Sequence, residues 1–445
     1  MRSVLFGFLA VLSVLGCGDG SGDSGGSGAV SGSGGSGGSA TGNGGAVGTG
    51  GAAAGGTPSA GAGGAAGGDA GHGGAAGNSG GSAGAGEAPA LTPCPEDANA
   101  VGVWQEVSPP EFKDPANLET FHITLDPQDQ SLYATAGNKT NGGDGSVGIF
   151  RSTDCGSSWQ KVSTGQNSAL LETGTSFALE ADWQHPGVLY DVNGYGQEPT
   201  LFKSINGGVD WQELYPDVDD VTPSSFVQTF GLDPLDPTHL VLTFHEDCKA
   251  PHAPMCFSET KDGGETWREF AGPSDGWKEA AFIVMLGGPS WLFEAGDAWL
   301  TMDSGATWDK VLTSYQGFAN GSFFGGHIGP DGSLYIGVSN TGIAVSHVDA
   351  TNEPAIPLGK EWSLLPNSPQ ASHFADDGEH FFANWKWDTS GQPMRTAAFS
   401  DLSSWTHMVT PENGLQRGGN LLYDIAHHIL YTANGTSGLW RVKTQ

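Results

Sequence analysis

Histidine and carboxylate side chains crowd together at one place in the sequence: His245, Glu246 and Asp247, with His252 close behind. Neutral imidazole and carboxylate are donor types that suit Zn or Mn. These residues therefore make either a divalent-cation site, with His245 and His252 as ligands, or a solvated loop. Glu180, Glu246 and Asp297, together with His245, are the groups that could act as general acid or base. Glycoside hydrolysis needs two carboxyl groups roughly 5–9 Å apart, a distance that sequence does not give. Trp385 and Trp387 are two residues apart, so in an extended segment both indoles face one way. They offer either a platform for a sugar ring or packing against a neighbouring element. Arg395 and Arg417 are cations available to a ligand in the same part of the chain. His327 and His373 fall at what reads as the same position of two repeats, where they are expected to line a channel as hydrogen-bonded residues. No cofactor is implied beyond that divalent cation.

Positioning these groups requires a scaffold, and the scaffold is repetitive. Short segments ending in Trp recur at Trp159, Trp211, Trp267, Trp308, Trp362, Trp405 and Trp440. Their spacing of about 50 residues suits a four-stranded propeller blade. Units open with an alternating apolar strand, a tight turn and a second strand. Examples run from His122 through Asp126 and Pro127 to Tyr133, from Gly231 through Asp233 and Pro234 to Leu240, and from Ile328 through Asp331 and Gly332 to Tyr335. Asp-Pro and Asp-Gly turns between β-rich runs are hairpin chemistry. The last unit is one strand short, whereas Val103 to Val107 has outer-strand character and no unit before it. The expected fold is all-β, a seven-bladed β-propeller with four-stranded blades, whose ring is closed by that N-terminal outer strand. In this register Glu180, His327 and His373 lie on inner strands. The His245 cluster, the Trp385 pair, Asp297 and the asparagines Asn138, Asn193 and Asn434 lie between second and third strands. Arg417 precedes the inner strand of the seventh blade, and Arg395 starts the third strand of the sixth.

Four octapeptides carry a resemblance. Ser152, Asp154, Gly156 and Trp159 are spaced as in an Asp-box, or BNR repeat, and so are Thr260, Asp262, Gly264 and Trp267. Thr301, Asp303, Gly305 and Trp308 match fully, and Ser204, Asn206, Gly208 and Trp211 match with Asn for Asp. The sixth unit, Ser400 to Trp405, is shortened, and the fifth and seventh lack the motif. On these residues the chain resembles the Asp-box propellers of the sialidase-like and sortilin-like superfamily. The resemblance implies that Asp154, Asn206, Asp262 and Asp303 staple turns between third and outer strands, on the face opposite the ligand. It does not extend to the sialidase site, a clamp of three arginines. Arg151 and Arg268 flank Asp-boxes and Arg441 lies near the chain end, which leaves Arg395 and Arg417. The Phe/Tyr-Arg-Ile-Pro signature is also absent.

Residues 1–17 read as a lipoprotein signal peptide. Arg2 is the positive region, and the apolar run from Val4 to Gly16 is shorter than the roughly 20 residues that span a bilayer. Val14, Leu15 and Gly16 before Cys17 resemble a lipobox, which makes Cys17 the lipidation site. Residues 18–92, rich in Gly, Ser and Ala, cannot bury enough apolar surface to order themselves and read as a disordered tether, with a span on the order of 45 Å. The propeller is expected over residues 93–445, exported and lipid-anchored at a bacterial cell envelope. A net charge of −32 argues against nucleic acid, which needs clustered Lys and Arg.

Outside Cys17, four cysteines allow three pairings, and an oxidising compartment favours disulfides. Cys248 and Cys256 share one loop. Cys94 lies just before the proposed closing strand and Cys155 lies in the first Asp-box of the neighbouring blade. The topology therefore predicts Cys94–Cys155 and Cys248–Cys256. The propeller is expected to be a monomer, and two functions remain in view for it. One is a recognition module whose loop face binds a glycan or protein partner; the other is a polysaccharide-active glycosidase or lyase.

Overall fold

A computed structural model describes residues 94–95 and 100–445, except 114–117, 139–145, 195–199, 216–225, 246, 274–281, 296, 314–322, 339–340, 348–360, 386–387, 389, 391, 412–413, 416–417 and 435–436. The expectations for segment 1–17, Cys17 and the tether 18–92 lie outside the described residues, as do Glu246, Trp387 and Arg417.

The chain forms seven four-stranded antiparallel sheets, each built from consecutive strands. They occupy residues 118–161, 175–213, 227–271, 282–312, 323–364, 373–407 and 419–443, here blades 1 to 7. Blade 7 supplies three strands from the chain end, and its fourth is the two-residue strand Gln105–Glu106, opposite Arg441 and Trp440. Among the described residues helix is confined to Ser168–Leu171 and a 3-10 turn at Pro110–Lys113. No helix there is long and apolar enough to cross a membrane.

The core is divided among the joints between blades. Leu179 and Leu189 of blade 2 pack with Tyr133 and Ile149 of blade 1. Their strand neighbours Ala178 and Tyr190 pack with Phe230 and Leu242 of blade 3. Both faces of a strand are thus buried, and inner strands become continuous apolar runs, such as Phe282–Gly287 in blade 4.

The four octapeptide turns share one bonding pattern. Asp262 Oδ1 accepts from Thr266 N at 2.9 Å and Oδ2 from Thr266 Oγ1 at 2.6 Å. Thr260 Oγ1 accepts from Gly264 N at 2.9 Å, and Gly264 sits at φ 99°, the left-handed region open to glycine. Asp154 and Asp303 repeat these contacts. Asn206 caps Asp210 N at 2.9 Å and donates to the Asp210 carboxylate at 2.8 Å. Asp401 does similar work in the shortened sixth turn, accepting from the hydroxyls of Ser403 and Ser404. Trp159 Nε1 reaches into the neighbouring blade region to donate to Val107 O at 2.6 Å.

Closure is reinforced at the joint of blades 7 and 1. Cys94 and Cys155 are disulfide-bonded with Cα atoms 5.5 Å apart, and Cys248 and Cys256 with theirs 6.0 Å apart. Arg441, 2% exposed, donates to Gln105 Oε1 at 2.9 Å, to Cys155 O and to Ser157 Oγ at 2.9 Å. It ties the closing strand to both blades.

Candidate functional site

In each sheet the turns between inner and second strands and between third and outer strands lie at one end, with the remaining loops at the other. This separates a turn face from a loop face. His245, Asp247 and His252 are on the loop between the second and third strands of blade 3, beside the Cys248–Cys256 bridge. The His245 ring stacks on Phe226 at 4.6 Å. Among the described residues the one grouping of three metal-ligand types within 4.8 Å is Cys94, Cys155 and His427, whose sulfurs already bond each other. Glu246, between His245 and Asp247 in that cluster, lies outside the described residues. Asn193 and Asn434, expected in loops, instead lie in second strands, at the next-to-last and last positions, and are fully buried.

His327 and His373 do not occupy equivalent positions. His373 opens the inner strand of blade 6, at the loop-face end, where its Nδ1 lies 2.9 Å from Ser372 Oγ and 3.2 Å from Asn384 Oδ1. His327 lies next to last on the inner strand of blade 5, at the turn-face end, with Nε2 2.6 Å from Asp376 Oδ2. The blade 6 inner strand is only four residues long, against six in blade 5.

Glu180 also lies near the turn-face end of its inner strand. It is 9% exposed, and burial pushes its carboxyl well above the usual range. Asp191, opposite Leu179 on the second strand, is pushed up to about 7 by burial, against a 2.5 Å bond from Ser176 Oγ. Asp297 is ion-paired with Lys310 at 2.7 Å.

The structure brings Trp385 and Arg395 into one groove of about 350 Å³, within the size range of small-ligand sites. Its lining comes from three places. Asn367, Pro369 and Gln370 belong to the connector leaving blade 5; Trp385, Asp388 and Pro393 to the loop between second and third strands of blade 6; Arg395, Trp405 and His407 to that blade's outer half. Strand register sets Arg395 opposite His407.

The described residues of this loop are tied to their surroundings by hydrogen bonds. Trp385 O accepts from Gly418 N and Asp388 N, each at 3.0 Å, and Asp388 Oδ1 accepts from Ser390 N at 2.6 Å. Gln392 and Thr410 exchange hydrogen bonds at 3.3 and 3.1 Å, stapling the loop to the chain beyond the outer strand. The Arg395 guanidinium donates to Gln392 O and to Met394 O and stands 3.7 Å from the Asp388 carboxylate. Burial lowers the pKa of Arg395, opposed by Asp388. Trp405 Nε1 donates to Leu402 O at 2.8 Å, so the indole's polar edge is satisfied. Asn367, at φ 56°, donates to Ser403 O at 3.3 Å and bridges the two blades.

Asp388, Trp405, His407, Asn367 and Gln370 were not singled out from sequence. Asp388 follows Trp385 by three residues and was within reach of the same reading. Trp405 was absorbed into the count of repeat-ending tryptophans. Asn367 and Gln370 lie in an interblade connector with no pattern of its own. A second feature recurs between inner and second strands, where Asp182 and His185, Asp377 and His380, and Asp424 and His427 form capped Asp-x-x-His turns.

Fold and groove together define a seven-bladed β-propeller with an aromatic-walled polar groove at a blade joint. No protein-family model matches the sequence, and no curated protein does. Among solved structures, YCF48 bound to D1 peptide aligns over 77% of this chain and 97% of its own at 14% identity, TM-score 0.48. YCF48 from Cyanidioschyzon merolae aligns over 77% and 98% at 10% identity, TM-score 0.47. The extracellular domain of the putative one-component system BT4673 from B. thetaiotaomicron aligns over 73% and 38% at 12% identity, TM-score 0.49. These are likenesses of fold.

Proposed function

We propose that the propeller is a recognition module that binds a glycan in the groove between the blade 5 connector and blade 6. The observation that carries this is the lining: two tryptophans, Trp385 and Trp405, beside a paired Arg395 and Asp388. Indole faces pack against the apolar faces of sugar rings, and planar polar side chains answer their hydroxyls. Asp388 is the one carboxylate lining the groove among the described residues, whereas glycoside hydrolysis uses a pair. Glu180, whose raised pKa would suit a general acid, lies on the inner strand of blade 2, outside the groove.

In this reading the four octapeptide turns are Asp-boxes, Cys17 carries a lipid, and residues 18–92 give the propeller reach from a bacterial envelope membrane. Affinity electrophoresis through gels containing plant, algal or bacterial polysaccharides, run beside a reducing-end assay, tests the function. Retardation without release of reducing ends is expected; release of reducing ends, or no retardation by any polysaccharide, overturns it. Changing Cys17 to Ser should move the protein from the membrane to the soluble fraction, and continued membrane association contradicts the anchor.

A further inference from the structure

We infer that the groove takes a neutral, hydroxyl-rich sugar chain and rejects uronates, an inference that rests on the groove being the ligand site. Among the described residues the charges lining it cancel. Arg395 and Asp388 stand 3.7 Å apart with side chains only 18% and 15% exposed, so each is the other's main compensation in a partly desolvated place. A ligand carboxylate reaching for Arg395 would have to displace Asp388. That would leave Asp388 buried without its counter-charge, and leaving one member of such a pair uncompensated is strongly unfavourable. The chain's net charge of −32 adds a repulsive field against anions.

A neutral sugar meets no such conflict. Its hydroxyls both donate and accept, so they can donate to Asp388 and accept from Arg395 without separating the pair. Asn367 and Gln370 present amides, which also do both. Trp405 has its Nε1 already bonded to Leu402 O and its ring packed near Phe381, so what it lends the groove is the remaining apolar surface. Exposed His407, opposite Arg395 in register, closes the same side with a nitrogen able to donate or accept.

Isothermal titration of the propeller with cellohexaose, mannohexaose and hexagalacturonate tests this, with Trp385→Ala and Asp388→Asn as variants and thermal midpoints checking that each folds. Wild type should bind at least one neutral hexasaccharide and not hexagalacturonate. Trp385→Ala should weaken the neutral ligand about tenfold or more, a loss of about 1.4 kcal/mol. Asp388→Asn removes the competing carboxylate and should confer measurable hexagalacturonate binding. Hexagalacturonate binding by wild type that Trp385→Ala abolishes would leave the groove as the site and overturn its neutral preference. Failure of all three sugars, or neutral binding unaffected by Trp385→Ala, would overturn the groove as the ligand site.

Discussion

Glu180 shows how a single residue can carry a raised pKa for structural reasons. Its carboxyl is pushed up by burial alone, so the folded protein holds a proton there that the unfolded chain releases above the ordinary value of 4.5. Where the folded state binds more protons than the unfolded one, stability falls as pH rises. This destabilising contribution is therefore absent well below pH 4.5 and grows toward neutrality. Glu180→Gln, which keeps the shape without the titration, should raise the thermal midpoint at pH 7 and give no gain near pH 3. An equal effect at both pH values contradicts it. At this scale the sequence was only partly legible. Trp385 and Arg395 were visible as types, and the structure places them in one groove. His327 and His373 were misaligned, because sequence spacing does not register where a strand begins or ends.

Blade 3 carries a buried chain of charges that no repeat announces. His239 Nδ1 lies 2.7 Å from Asp233 Oδ2, its Nε2 lies 3.0 Å from Glu259 Oε1, and Arg268 bonds Glu259 Oε2 at 2.6 Å. Asp233 also accepts from Gly288 N at 2.7 Å, joining blade 3 to blade 4. Burial pushes the Glu259 carboxyl up, but the bonds from His239 and Arg268 outweigh it and bring it to about 2. Its stabilisation is present above 4.5 and is lost as pH falls toward 2. For His239, burial lowers the pKa while Asp233 and Glu259 raise it further, so its contribution is full below 6.5 and lost as pH rises through the folded value. Stability from this chain should peak between about pH 4.5 and 6.5. Glu259→Gln should cost about 2 kcal/mol in urea unfolding near pH 5.5, because it removes the charged acceptor of both His239 Nε2 and Arg268. A loss below about 0.5 kcal/mol, the range of ordinary surface changes, contradicts the role. The turns themselves were legible, since Ser/Thr, Asp, Gly and Trp at fixed offsets dictate them. The His239 network was not, because its members lie 6 and 20 residues apart on three elements.

The whole ring was readable because its periodicity, its orphan strand and its cysteines agree. The count of seven Trp-ended units and the missing last strand place Gln105–Glu106 beside Arg441 and Trp440. The same register places Cys94 against Cys155. By the chain-entropy estimate, opening Cys94–Cys155 by the double change to Ser should destabilise the propeller by about 4 kcal/mol, and opening Cys248–Cys256 by about 2.5 kcal/mol. Equal or reversed effects in urea melts would contradict a closing role for the longer bridge. What periodicity could not reveal was the groove, since a joint between a connector and a neighbouring blade exists only after the ring has closed. The most direct measurement of the central claim is a crystal structure of the propeller grown with a neutral oligosaccharide that binds it. The account predicts sugar rings against Trp385 and Trp405 with hydroxyls bonded to Asp388 and Arg395. Sugar bound instead at the His245 loop or in the central channel, with the groove empty, would contradict it.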